Sequence, residues 1–194
     1  MSTNILFYIF ILISTILVFG YFYGKKKNQN ISSNAIESLN NIFNPADQKI
    51  TNIGGVIGYH VEMEFIENNP ISRLEGTITL MPRHSLLYLP FSKIFRKYDR
   101  FFIRINVKNI SFRDEIHYFE KDFLNKNRKS IKNNKNLTFL DKNHNYGKFV
   151  FCYKNKNDYD KLRKITESLD HTILKQVSIN PSGLIEILYI PQLQ

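Results

Sequence analysis

The sequence predicts an α+β chain, mostly β, in which one N-terminal membrane-spanning helix precedes a soluble antiparallel domain. Three observations predict it. Residues 5–23 (ILFYIFILISTILVFGYFY) form an uncharged apolar run. From residue 57 onward apolar side chains recur at every second position, the period of half-buried strands. One late stretch carries an apolar stripe at helical spacing, just ahead of a closing hairpin signal.

The apolar run sets the organisation. Nineteen residues at about 1.5 Å each reach roughly the ~30 Å of a bilayer's hydrocarbon core, and a helix satisfies its own backbone there. Tyr21 and Tyr23 suit the headgroup level, and Lys25, Lys26 and Lys27 follow directly as membrane-flanking cations. The competing reading is a cleaved secretory signal, which needs a basic leading region, a shorter apolar core and a small-x-small cleavage site. Residues 21–24 offer no such site, and no charged side chain precedes Ile5. Three lysines after the span and none before it place the N-terminus outside and the soluble part in the cytoplasm of a single-pass membrane protein.

Composition fits that compartment. Beyond the span lies one domain's worth of chain, and the single cysteine, Cys152, forms no internal disulfide. The net charge of +10 belongs wholly to residues after Gly24, with anionic lipid as the nearest counter-charge. Codon bias toward Asn, Lys and Ile is the competing explanation of the basic excess. The expected divisions are 1–24 (anchor), 25–52 (a polar linker with a short helix capped by Ser33 and stopped by Pro45) and 53–194 (the soluble domain).

Within the domain, Ile57, Tyr59, Val61, Met63 and Phe65 alternate with polar residues as the clearest strand, and Leu74, Gly76, Ile78 and Leu80 repeat the pattern. Residues 84–89 read as a short apolar run closed by Pro90, and 91–100 as a basic, aromatic loop. Phe101, Ile103, Ile105 and Val107 mark another strand, with a weaker one over 111–119. Residues 121–135, rich in Lys and Asn, read as an exposed loop. Segments 137–140 and 148–153 pair around the turn 141–147, with Phe149, Phe151 and Tyr153 on one face. Asn157 caps a helix whose stripe is Tyr159, Leu162, Ile165 and Leu169, and 173–179 and 184–190 flank the hairpin turn Asn180, Pro181, Ser182, Gly183.

The run Gly76 to Leu80, then Leu86, Leu87 and Tyr88, then 103–110, 137–140, 149–153 and the late helix resembles pleckstrin-homology-like domains, including the GRAM and bacterial PH groups. The resemblance covers about residues 57–170 and implies two orthogonal antiparallel sheets plugged by a C-terminal helix, used as a binding module. The basic signature of phosphoinositide-binding members has no counterpart in residues 67–71, where only nearby Arg73 is basic, and the terminal hairpin is additional.

Candidate chemistry is sparse. His60, Glu62 and Glu64 share one strand face and offer imidazole and carboxylates for a divalent metal, but the solvated face of a strand explains them as well, and no second ligand cluster accompanies them. His84 and Ser85 are neighbours on opposite strand faces, awkward for base and nucleophile. Cys152 has no basic neighbour to activate it. No phosphate-cradling glycine loop is present. No metal or cofactor is therefore expected. The concentrated features are basic: Arg96, Lys97 and Arg100 among Phe91, Phe95 and Tyr98, then Lys126, Arg128, Lys129 and Lys132. They suit anionic lipid headgroups or another membrane-associated protein; nucleic acid suits a basic aromatic loop too, but less well on a tethered domain. The expectation is a membrane-anchored binding or scaffolding module and no enzyme, the alternative being a membrane-tethered enzyme using the His/Glu site of the first strand.

Overall fold

The structure, a computed structural model, describes residues 3–95, 98–109, 112–123 and 137–190. In chain order these form α1 (Thr3–Phe43), β1 (Asp47–Asn52), β2 (Gly58–Glu64), β3 (Ile71–Thr79), α2 (Leu89–Phe95), β4 (Arg100–Val107), β5 (Ile116–Glu120), β6 (Thr138–His144), β7 (Gly147–Tyr153), α3 (Lys156–Glu167), β8 (Leu174–Ile179) and β9 (Leu184–Tyr189). The α+β, mostly β class is as expected. Two compact units divide the chain: Met1–Asn44 with Ile50–His60 and Ile78–Asp99, and Pro45–Lys49 with Val61–Thr77 and Arg100–Gln194.

In the first unit, α1 is one uninterrupted helix of 41 residues, about 60 Å long at ~1.5 Å per residue. The separate helix expected from Ser33 is its C-terminal part; Ser33 is an exposed mid-helix residue and caps nothing. The end falls where expected. Asn44 takes a left-handed φ of 43° and donates its backbone N–H to the Asn40 carbonyl at 2.8 Å, and Pro45 then bars continuation. Residues 4–13 are exposed without exception, whereas Gly24, Asn28, Ser32, Ile36 and Leu39 are buried in one stripe of three- and four-residue steps. The run at 84–88 is a series of turns, not a strand, and the loop expected after it begins as α2, with Pro90 tolerated in its first turn.

The nine strands are hydrogen-bonded into one sheet, in the order β1-β2-β3-β4-β9-β8-β5-β7-β6. The terminal hairpin thus lies in the middle of the sheet. β9 pairs antiparallel with β4 (Ile103 opposite Ile187), and β8 with β5 (Tyr118 opposite Val177). Its turn depends on Gly183, whose φ is 84° and whose missing side chain leaves room for the Val107 carbonyl. Arg104 Nε reaches Glu186 Oε1 at 2.9 Å across the β4–β9 register.

The second unit's core lies on one sheet face. Tyr118, Phe149, Phe151, Leu174 and Val177 are fully or almost fully buried there, with α3 laid over them through Leu162 and, less deeply, Tyr159 and Ile165, and Leu169 just beyond its end. That is the stripe expected. On the opposite face Phe119, Val150 and Cys152 form a smaller cluster, so β5 and β7 are buried on both sides. The helix cap is Asn155: its side-chain oxygen accepts the Asn157 N–H at 2.9 Å, placing Asn157 inside the first turn. Asp158, also in that turn, is buried and accepts the Arg113 N–H at 3.1 Å, tying β5's approach to the helix.

Candidate functional site

The most elaborate polar constellation among the described residues lies in the first unit, at the end of the apolar half of α1. Gly20 and Gly24, one helical turn apart, leave the helix surface flat. A Cβ on Gly20 would strike the Leu86 side chain, and one on Gly24 would strike the Arg83 carbonyl and the His84 backbone nitrogen. One turn further, Asn28 is completely buried; its amide donates to the Val56 carbonyl at 3.0 Å and the Met81 carbonyl at 2.8 Å, and its oxygen accepts from Arg83 Nη1 at 3.0 Å. Arg83 closes a two-pronged pair with Asp99, Nη1 to Oδ1 at 3.0 Å and Nη2 to Oδ2 at 2.8 Å, while Asp99 Oδ1 also accepts the Met81 N–H at 2.8 Å. With side chains 10% and 11% exposed, this pair is shielded from water, and it is held by hydrogen bonds on every side. The arrangement can clamp a helix against a loop. Every one of its three oxygens, Asn28 Oδ1 and both of Asp99, accepts at least one hydrogen bond from within the node.

Sequence reasoning missed this node. Asn28 fell in the expected linker, and Arg83 and Asp99 in turns. The legible signal was the small-residue spacing Gly20-x-x-x-Gly24 followed by Asn28 and Ser32 at four-residue steps, the pattern of a helix face approached closely by other backbone.

A second site lies in the other unit, a cavity of about 360 Å³ lined by Asn143, His144, Asn145, Tyr146, Asp170 and His171 with Leu169. The His144 and His171 rings stack with centroids 4.1 Å apart, and His144 Nε2 is 2.9 Å from the Tyr118 hydroxyl. Both rings are held below the usual histidine pKa, His144 by burial and then the Lys142 charge, His171 by burial and then the charges of His144 and Lys142, against smaller opposing pulls from a hydrogen bond to the Leu169 backbone and from Asp170. The two ring planes lie only 22° apart, so their in-plane lone pairs run nearly parallel and do not converge on one metal ion. On the other face of the sheet, beside Phe119, His117 Nδ1 lies 2.9 Å from Ser178 Oγ, and burial again lowers its pKa despite Glu115 and Glu186. The sign follows. An unfolded chain takes up these protons below about pH 6.5 while the folded rings resist them, so stability falls as pH drops through that value. Unfolding midpoints should therefore decline between about pH 7 and about pH 5, and a His144→Gln/His171→Gln variant should show a shallower decline; an unchanged slope would contradict it.

The expected site residues fare differently. Lys26 and Lys27 are exposed on α1 and Lys25 is partly covered, while Arg100 is exposed at the start of β4. Arg96, Lys97, Lys126, Arg128, Lys129 and Lys132 lie outside the described residues. On β2, Glu62 pairs with Arg73 Nη2 at 3.2 Å, and among the described residues no group of three or more His, Cys, Asp or Glu is placed to hold a metal ion. His84 packs edge-on against Tyr21, ring centroids 5.8 Å apart. Cys152 is a packing residue, fully buried, its thiol pushed up to about 12 by that burial. No protein-family model matches the chain, and no curated protein matches it in sequence.

Proposed function

We propose that this chain is a single-pass membrane protein with its N-terminus outside, whose cytoplasmic, mostly β part serves as a binding or scaffolding module at the membrane surface. One observation carries the reading: α1 is long and apolar enough to cross a membrane, stands exposed along its apolar half, and continues without a break into a half that is packed into the fold. A cleaved signal is poorly served by such a helix. Removing residues up to Gly24 would strip away the turn against which Arg83, His84 and Leu86 are seated. The pleckstrin-homology-like identity is part of the proposal, supported by the antiparallel strands and by the late amphipathic helix laid on the sheet.

The partners proposed are anionic headgroups or a membrane-associated protein, engaged through Lys25, Lys26, Lys27, Arg100 and the basic positions 96, 97, 126, 128, 129 and 132. Each cation near an anionic surface adds on the order of 1 kcal/mol, screened beyond about 8 Å at physiological salt. The full chain reconstituted in mixed vesicles should enrich anionic lipid around itself at low salt. That enrichment should drop when Lys126, Arg128, Lys129 and Lys132 become Gln; equal enrichment by parent and variant would remove those four from the site. In intact cells an impermeant thiol reagent should fail to reach an added C-terminal cysteine, with buried Cys152 silent; efficient labelling would reverse the orientation.

A further inference from the structure

We infer that α2 and the turn before it form a second membrane contact, lying in the plane of the bilayer surface beside the end of the span. The inference rests on the anchor reading above and adds a lipid-facing element to it. Between residues 87 and 95, five large apolar side chains stand open: Leu87 (71% exposed), Tyr88 (54%), Phe91 (59%), Ile94 (70%) and Phe95 (80%). Phe91, Ile94 and Phe95 follow steps of three and one, which gather them on one side of α2, with Leu87 exposed in the turn just before it, while Ser92 is buried with its hydroxyl donating to the Leu89 carbonyl at 2.8 Å. A patch of this density on a water-soluble surface marks a contact with something apolar.

The bilayer is the occupant because of where the patch sits. Leu86 meets Gly20, which lies inside the uncharged run, and Arg83 and His84 meet Gly24 and Tyr21. Residues 83–86 therefore run alongside the last turn of the apolar half of α1, at the level where hydrocarbon gives way to headgroups. Leu89 follows three residues later, and the seven residues of α2 extend only about 10 Å at ~1.5 Å each, so the whole element stays within about that distance of the boundary. Tyr21, Phe22 and Tyr23, exposed on α1, continue the same apolar girdle. Exposed Lys93 supplies the positive charge that an in-plane helix turns toward headgroups.

The chain contains no tryptophan, so single indoles report depth without background. Full-length Phe95→Trp and, as a second site, Ile94→Trp are reconstituted in vesicles with bromines placed either near the headgroups or near the acyl ends. Phe10→Trp, on the exposed apolar half of α1, reads the span itself. The inference expects emission from positions 94 and 95 to fall roughly two-fold or more with the shallow bromines and less with the deep ones, as suits a helix lying at the headgroup boundary. If position 10 is quenched by deep bromines while 94 and 95 are untouched, the anchor stands and the in-plane element is overturned, whether those indoles report water or a protein neighbour. If position 10 is not quenched either, the anchor reading has failed and this inference fails with it.

Discussion

Asp99→Ala is expected to destabilise the first unit by about 3–5 kcal/mol, the range seen when one member of a buried ion pair is removed. The substitution leaves the Arg83 guanidinium with only the Asn28 oxygen and strands the Met81 N–H, both in a shielded setting. Coulomb attraction alone does not set the size of the loss. What dominates is the desolvation of a charge that has lost its counter-charge, which is why removing both charges should cost less than removing one. An Arg83→Met/Asp99→Leu double variant should recover part of the loss. Denaturant titrations of the full chain in detergent micelles give these differences directly; a loss under about 0.5 kcal/mol for Asp99→Ala, the size of an ordinary surface change, would mean that water reaches the pair freely.

Gly24→Ala sets two effects of opposite sign against each other. In an open helix the change gains up to about 1 kcal/mol of helix propensity. Here the new Cβ falls on the Arg83 carbonyl and the His84 nitrogen, which are backbone and have no rotamer to escape into. Overpacking typically costs about 1–3 kcal/mol and more where nothing yields, so the net expectation is a clear loss, larger for Gly24→Val. Gly20 is the internal control. Its Cβ would meet only the Leu86 side chain, so Gly20→Ala should be restored by Leu86→Ala, whereas no side-chain truncation should rescue position 24. A stability gain for Gly24→Ala would show that the loop does not press on the helix.

These two sites also show where sequence reading stopped. Alternation of apolar and polar residues is a local property, and it located β2, β3 and β4 because one face of each is wet. It served β5 less well, since Ile116, His117, Tyr118 and Phe119 are all buried and no period survives. β1 was invisible for the opposite reason: every one of its residues is exposed. In the second half of α1 only a short helix within a polar linker was read, because the first part of its buried stripe is built from Gly24, Asn28 and Ser32, which a search for apolar residues does not count. Residues 84–95 carried a helical spacing at Leu87, Phe91, Ile94 and Phe95, but Pro82 and Pro90 drew attention to breaks instead. The order of strands, with the last hairpin between β4 and β5, depends on pairings far apart in the chain and leaves no trace in local patterning. The Asn28–Arg83–Asp99 node is of the same kind, three residues brought together over separations of 55 and 16 positions.

The central claim is that the apolar half of α1 stays attached and lies in the bilayer. Alkaline carbonate extraction of membranes from cells expressing the full chain, followed by intact-mass measurement of the protein in each fraction, tests it most directly. A run of nineteen uncharged, mostly apolar residues in hydrocarbon should keep the protein in the membrane pellet until detergent is added, with residues 5–23 still present in its mass. Release of the chain into the carbonate supernatant, or a pellet species whose mass begins beyond Tyr23, would contradict the account.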